Sequence, residues 1–283
     1  MIGLPMRPTA SLPSSFLISR TRWVRVPFPP HRLAHTMTHN QANQAIEEQS
    51  LPFYHRKQCY PVEIGHVTHN RYRIIAKIGY GAYSTVWLPC DHRVNEYVLL
   101  KVSVQADHSH AGNSPVLNEI NMLRRLEQFA KEDHPGLDFT RQACDIFETE
   151  SVGGAHHCIA FKAQGNSVRK LQEIFPDAKF PKLLVKSLIH RLFFSVNWLY
   201  ATCGATHTDI SPQSVSMGIE DSMSLKYVED QETRCPSSPI LSPVNSSTTV
   251  LYRSRPTILE VSGHPILADF GQMRLVEGCV NRD

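Results

Sequence analysis

Partway along this chain the hydrophobic period changes, and that change limits the folds open to it. Up to Phe161 the apolar residues come in short, strand-length runs; from Leu183 to Leu199 they recur at helical spacing. Residues 71–78 (Arg-Tyr-Arg-Ile-Ile-Ala-Lys-Ile) read as a strand, and 85–88 and 97–102 as strands that return beside it. Two more, 143–148 and 156–161, are joined by a turn at Gly153-Gly154. Between these groups Pro115 to Phe129 reads as a helix, with Val116, Ile120, Leu123 and Leu126 on one face and Ser114 before Pro115 as its start. Later, Leu183, Leu184, Leu188, Leu192, Phe193, Val196 and Leu199 read as a single apolar face. Strands first and helices later predict an α+β, two-lobed fold: a β-sheet lobe with one main helix, then a mostly helical lobe.

Composition narrows the function. A length of 283 residues suits one large domain or two lobes. The formal net charge of +3 is too small to point to a nucleic-acid partner. No stretch approaches the ~18 apolar residues of a membrane-spanning helix. The seven cysteines are scattered without a Cys-x-x-Cys pair, which fits a reducing, intracellular setting better than a zinc site or a redox dithiol. The first 36 residues carry Arg7, Arg20, Arg22, Arg25 and Arg32 and no acidic residue, a composition shared by mitochondrial and other organellar transit peptides, disordered tails and translated leaders. The predicted division is a flexible segment over 1–60, a first lobe and hinge over 61–164, and a second lobe over 165–283. Within the last, residues 229–257, rich in Pro, Ser and Thr, read as an irregular surface insert.

Four motifs carry chemistry. Gly79-x-Gly81-x-x-Ser84-x-Val86 lies between two strands, where glycines let the backbone approach phosphates. Taken alone, such a motif is better explained by a plain hairpin, and the absence of a helix directly after it argues against a dinucleotide fold. Lys101 ends an apolar run 22 residues after Gly79, and Glu119 lies on the helix that follows. Such a pair can present an ammonium group to the α- and β-phosphates of a nucleotide. His207-Thr-Asp209 directly follows the long apolar helix, and an Asp fixed in such a loop can accept a hydroxyl proton. Asp269-Phe270-Gly271 ends a short apolar run, placing a carboxylate where it could hold Mg²⁺. Each motif alone is weak; their order and spacing together match protein-kinase sequence.

The chain resembles the eukaryotic-type serine/threonine protein kinases, and within them the SR-protein (serine/arginine-rich protein) kinases of fungal type. The similar stretches are Pro61-Val-Glu-Ile-Gly65, Arg71-Tyr-Arg, Ile78-Gly-Tyr-Gly-Ala-Tyr-Ser-Thr-Val-Trp-Leu88, Asn118-Glu-Ile120, His134-Pro-Gly136 and His207-Thr-Asp-Ile210. The resemblance implies a protein-kinase fold that takes ATP and Mg²⁺ and phosphorylates Ser or Thr of a protein substrate, Arg/Ser-rich substrates included, in the cytoplasm or nucleus. It implies that Ile78, Gly79, Gly81 and Val86 cover the nucleotide, and that Lys101 binds phosphate oxygens and pairs with Glu119. It further implies a gatekeeper at Phe161, a hinge from Lys162 to Gln164 against the adenine edge, Asp209 as catalytic base, and Asp269 with Ser214 as metal ligands.

Three departures qualify this. Thr208 stands where many kinases carry the Arg that answers a phosphorylated activation loop, implying that activity is not switched that way. Ser211 and Ser214 stand where the family has Lys and Asn, removing a charge near the γ-phosphate and shortening a metal ligand. Only twelve residues follow Gly271, so the resemblance lacks the family's activation segment and later helices, and the chain reads as C-terminally truncated. Three expectations follow from these departures: a working kinase, a pseudokinase-like nucleotide-binding scaffold, or an incomplete product that does not fold.

Overall fold

A computed structural model describes residues 46–51, 59–105, 114–131, 133–244, 247–256 and 263–276, all within one compact unit, Asn40–Asp283. The leader or transit peptide read over residues 1–36 lies outside the described residues. In chain order the strands and helices are β1 (Val67–Thr68), β2 (Tyr72–Gly81), β3 (Ser84–Asp91), β4 (Glu96–Ser103), α1 (Pro115–Phe129), β5 (Ala143–Ser151) and β6 (Gly154–Lys162). There follow β7 (Gln164–Ser167), α2 (Val168–Gln172), α3 (Lys182–Asn197), β8 (Ala205–Thr206), β9 (Val215–Gly218) and α4 (Met223–Arg234). The series ends with β10 (Ile240–Val244), β11 (Ser247–Leu251), β12 (Pro265–Leu267) and β13 (Arg274–Leu275).

The first six strands form one antiparallel sheet in the order β1-β2-β3-β4-β6-β5. Its outer parts approach each other. Arg71 donates to Asp91 on β3 at 2.7 Å and to Asp145 on β5 at 3.0 Å, and the Tyr72 hydroxyl donates to Asp145 at 2.9 Å. The Tyr72 and Phe147 rings stack at 5.7 Å, so the sheet is strongly curled. The Arg71 guanidinium holds the Asp91 carboxyl below the usual carboxylate range. Strand β2 is buried on both faces. Tyr72 and Ile74 pack with Trp87, Leu100 and Phe147, whereas Ile75 and Ala76 pack with Leu88, Cys90, Leu225 and Val228. A register shift between Ile74 and Ala76 moves Ala76 to the second face.

Helix α1 spans the residues its apolar spacing predicts. The Ser114 hydroxyl accepts from the Leu117 N–H and Pro115 occupies the first turn. Ile120, Leu123 and Leu126 enter the largest core cluster with Phe161, Leu171, Leu188, Trp198, Leu267 and Phe270. Two sequence readings are corrected. The α3 stretch does not carry one apolar face: Leu184, Leu188, Leu192 and Val196 meet the core, but Leu183 and Phe193 are 80% and 66% exposed. Residues 229–257 are not an irregular loop, because α4 runs through their first part and β10 and β11 form a hairpin. Leu225 and Val228 of α4 have too few apolar neighbours to show a stripe, yet they suffice to cover the second face of β2.

His156 on β6 is fully buried, its Nδ1–H donating to the Ser103 carbonyl and its Nε2 accepting from the Ser151 hydroxyl, both at 3.0 Å. Burial pushes its pKa below the ordinary imidazole value. The unfolded chain therefore takes up this proton first, and the stabilisation is complete above the unfolded pKa of about 6.5 and is lost as pH falls below it. Urea midpoints are expected to fall from pH 7.5 to 5.5, and His156→Gln, which has no proton to take up there, should show a shallower fall. Equal slopes would place the titration elsewhere.

Candidate functional site

Strands β2 and β3 are joined at the glycine turn, with Gly79 opposite Val86 and Gly81 opposite Ser84. A Cβ on Gly81 would meet nothing within 4 Å, and one on Gly79 would reach only the Val86 side chain, at 3.9 Å. The protein's own packing does not require these glycines; the space they leave is open to a ligand that approaches the backbone. Ile78 and Val86 are half-buried beside this turn.

Lys101 lies across from Val86 on β4, and its ammonium group donates to Glu119 of α1 at 2.6 Å. Glu119 is 4% exposed. The Lys101 nitrogen also lies 4.0 Å from the Asp269 carboxylate, which is well exposed. The structure therefore brings together three residues that the sequence holds far apart. Asp269 is in the left-handed region at φ 65°, and Phe270 behind it is fully buried and meets the His207 ring edge-on at 5.7 Å.

The loop carrying Asp209 is tied to this turn from both sides. His207 Nε2–H donates to the Ala268 carbonyl at 2.9 Å, while its Nδ1 accepts from the Asp209 N–H, so the imidazole is the neutral Nε2–H tautomer. Thr208, itself at φ 61°, donates its hydroxyl to the Gln272 carbonyl at 2.6 Å. Ala268 donates to the Ser214 carbonyl at 2.8 Å. The Asp209 side chain is left exposed. Ser214 is 3% exposed, and its hydroxyl accepts from the Ser211 N–H at 2.8 Å and lies 3.0 Å from both the Asp209 and Ser211 carbonyls. That oxygen is committed to the backbone of its own loop.

Phe161 is fully buried at the end of β6, Lys162 is exposed, and Gln164 opens β7 with its side-chain oxygen turned to Arg141. Sequence reasoning missed Arg141 entirely. It also quoted Asn118 only as part of a similar stretch, although its amide donates to the Gly271 and Met273 carbonyls at 2.9 and 3.0 Å and pins α1 to the Asp269–Gly271 turn. Its place one residue before Glu119 was the signal available. Among the described residues no cluster of three or more His, Cys, Asp or Glu is arranged around a common metal site, and no helix is long and apolar enough to cross a membrane. A Mg²⁺ brought by a nucleotide needs only one or two carboxylates besides phosphates and water, so Asp269 fits it while Ser214 does not offer a free oxygen.

No family model matches the chain. A serine/threonine protein kinase of Aspergillus fumigatus is 30% identical over 234 residues, covering 81% of this chain and 53% of the relative. Protein kinase dsk1 of Schizosaccharomyces pombe is 31% identical over 71% of this chain and 36% of its own length. Human SRSF protein kinase 3 is 31% identical over 62% of this chain and 30% of its own. The chain thus spans about half the length of the Aspergillus relative and less of the others. Among solved structures, the crystal structure of a kinase domain superposes with a TM-score of 0.54 at 18% identity, over 77% of this chain and 56% of that one. By sequence and by fold, the chain is a homologue of the fungal and SRSF serine/threonine protein kinases.

Proposed function

We propose that the chain binds ATP with Mg²⁺ between the glycine turn and the Asp269 turn, and transfers the γ-phosphoryl group to a Ser or Thr hydroxyl of a protein. The observation that carries this reading is the Lys101–Glu119 pair at 2.6 Å with Asp269 at 4.0 Å from the same ammonium group, beneath an open glycine turn. Lys101 would neutralise phosphate oxygens, with Glu119 fixing its direction. Ile78 and Val86 would bound the base, and Lys162 to Gln164 would offer it their backbone. Asp209 would take the proton of the attacking hydroxyl as its oxygen bonds to the γ-phosphorus and the bond to the ADP oxygen breaks. Bound Mg²⁺ would offset the charge on the phosphates, and Asp269 is the carboxylate placed to hold it. The human relative is named for SRSF proteins, which makes an Arg/Ser-rich peptide the first protein substrate to try. Cytoplasm and nucleus are the compartments we propose to search first.

A second reading, a nucleotide-binding scaffold without transfer, is favoured by the engagement of Ser214 with its own loop and by Ser211 in place of a cation. We assign Ser214 the role of holding the Asp209 loop rather than ligating metal.

A thermal melt with millimolar ATP and Mg²⁺ tests the nucleotide site. Ligand at a hundred times its Kd stabilises by about 2.7 kcal/mol, so the midpoint should rise visibly, and Lys101→Met should remove most of the rise. A cooperative melt indifferent to ATP sinks the reading. Where ATP binds, transfer to the peptide that disappears in Asp209→Asn separates the kinase from the scaffold.

A further inference from the structure

Three partly buried arginines meet a carboxylate: Arg71 meets Asp91 and Asp145, Arg73 meets Glu229, and Arg255 meets Glu232. Arg141 does not. Its backbone N–H donates to the Leu267 carbonyl at 2.9 Å, which draws the residue inward behind the Asp269 turn. Its Nε donates to the Gln164 side-chain oxygen at 2.7 Å, and its Nη2 donates to the same oxygen and to the Ser216 hydroxyl at 3.0 Å. The guanidinium carbon lies 5.0 Å from the centre of the Phe161 ring. No carboxylate lies within ion-pair distance among the described residues. Desolvation lowers the guanidinium pKa to about 10, and the charges of Glu119 and Asp269 act against that shift.

A desolvated cation without a carboxylate costs free energy unless something compensates for it, and here neutral oxygens and the Phe161 ring are its partners among the described residues. Their positions say what the group faces. Phe161 is the last residue but one of β6, Gln164 opens β7 and Ser216 lies within β9, so the guanidinium sits where the six-stranded sheet passes to the three-stranded one. In the reading proposed above, which this inference rests on, that wall meets the nucleobase. Since a guanidinium can only donate, Gln164 must turn its oxygen toward it and its NH₂ away. Nη1 has no acceptor among the described residues. The side chains along this wall thus offer donors.

We infer that Arg141, steadied by Gln164 and Ser216, selects the base of the nucleotide: it favours a purine edge made of acceptors, so the chain takes GTP on near-equal terms with ATP. Guanine presents O6 as an acceptor that the free Nη1 donors can meet, whereas adenine places a donor amino group at that corner. An ammonium group at residue 141 would keep the charge but could not hold Gln164, Ser216 and the base edge in one plane.

Displacement of a fluorescent mant-nucleotide by ATP and by GTP, each with Mg²⁺, tests this on the full chain. Wild type should bind the two within about threefold. Arg141→Leu and Arg141→Lys should each weaken GTP by about tenfold or more while changing ATP by less than about threefold, a discrimination in the range of one good Arg–guanine pair. Gln164→Ala, which leaves the guanidinium in place but unsteadied, should fall between. Should Arg141→Leu fail to fold in a control melt, the Lys and Gln164 variants carry the comparison. A wild-type preference for ATP above about thirtyfold, or a GTP-to-ATP ratio unchanged in Arg141→Lys, overturns the inference and leaves the ATP site standing. Failure of wild type to bind either nucleotide overturns both.

Discussion

Lys77→Met is expected to lower unfolding stability by about 3–5 kcal/mol, the range for breaking a buried ion pair from one side. Lys77 lies on β2 just before the glycine turn, and its side chain is completely buried. Its ammonium group donates to Glu48 and to the Tyr252 carbonyl at 3.1 Å, and lies 3.5 Å from Glu47. Glu47 in turn accepts from the Ser254 N–H and hydroxyl at 3.0 and 2.6 Å. Removing the cation leaves Glu48, 4% exposed, as a buried carboxylate without its countercharge. Three segments far apart in sequence meet on that one nitrogen: residues 46–51, strand β2, and the stretch after β11. The double variant Lys77→Met with Glu48→Leu should recover most of the loss, because apolar side chains of similar size can replace a buried pair at little cost. Denaturant titrations of the two singles and the double measure the coupling directly. A single-variant loss below about 1 kcal/mol would mean that residues 46–51 do not dock on β2 in solution.

Why this contact was hidden in the sequence is instructive. Lys77 interrupts the apolar run Ile74 to Ile78, where a lysine normally reaches out to water, and nothing local says that Glu47 and Glu48 lie over it. Elements whose signal is local were legible. Helix α1 announces both ends through Ser114, Pro115 and its apolar spacing, and β2 to β6 are visible as runs punctuated by Gly81 and Gly153-Gly154. Elements completed by partners were not. Strand β7 has no apolar pattern of its own and exists because β9 pairs with it, and α4 needs the second face of β2 to give Leu225 and Val228 a purpose. The same division runs through the candidate site. Gly79, Lys101, Glu119, His207, Asp209 and Asp269 stand out by residue type and order. Arg141, Thr208 and Asn118 act through hydrogen bonds to backbone, amide and hydroxyl groups, which no spacing rule encodes. Ser214 shows the limit from the other side: its type allowed a metal ligand, but only the loop geometry shows where its oxygen is spent.

Gly136→Ala is expected to be among the most damaging single-methyl additions in the chain, whereas Gly81→Ala should leave stability almost unchanged. Gly136 lies in the short 3-10 turn Pro135–Phe139, pressed against the C-terminal end of α3. A Cβ there would sit 2.5 Å from the Trp198 Cβ and closer still to the Phe194 carbonyl oxygen. Carbon contacts are comfortable only at about 3.5–4.0 Å, so α3 or the turn must move by roughly an ångström. Neither moves freely. The Thr140 hydroxyl lies 2.7 Å from both the Gly136 carbonyl and the buried Ser195 hydroxyl, and Trp198 is fully buried in the largest core cluster. Overpacking of this kind costs about 1–3 kcal/mol where the surroundings can adjust, and the upper end or beyond is expected where helix backbone is the obstacle. Gly81, with nothing within 4 Å of its would-be Cβ, is the control: its melt should stay within about 0.5 kcal/mol of wild type, as surface changes do. The pair also separates fold from site. Gly81→Ala should weaken the ATP-dependent rise in midpoint, because the added methyl fills space left for phosphates, while Gly136→Ala should lower the midpoint with and without ATP. Loss of stability in Gly81→Ala, or its absence in Gly136→Ala, would show that the glycine turn and the α3 contact are packed differently in solution.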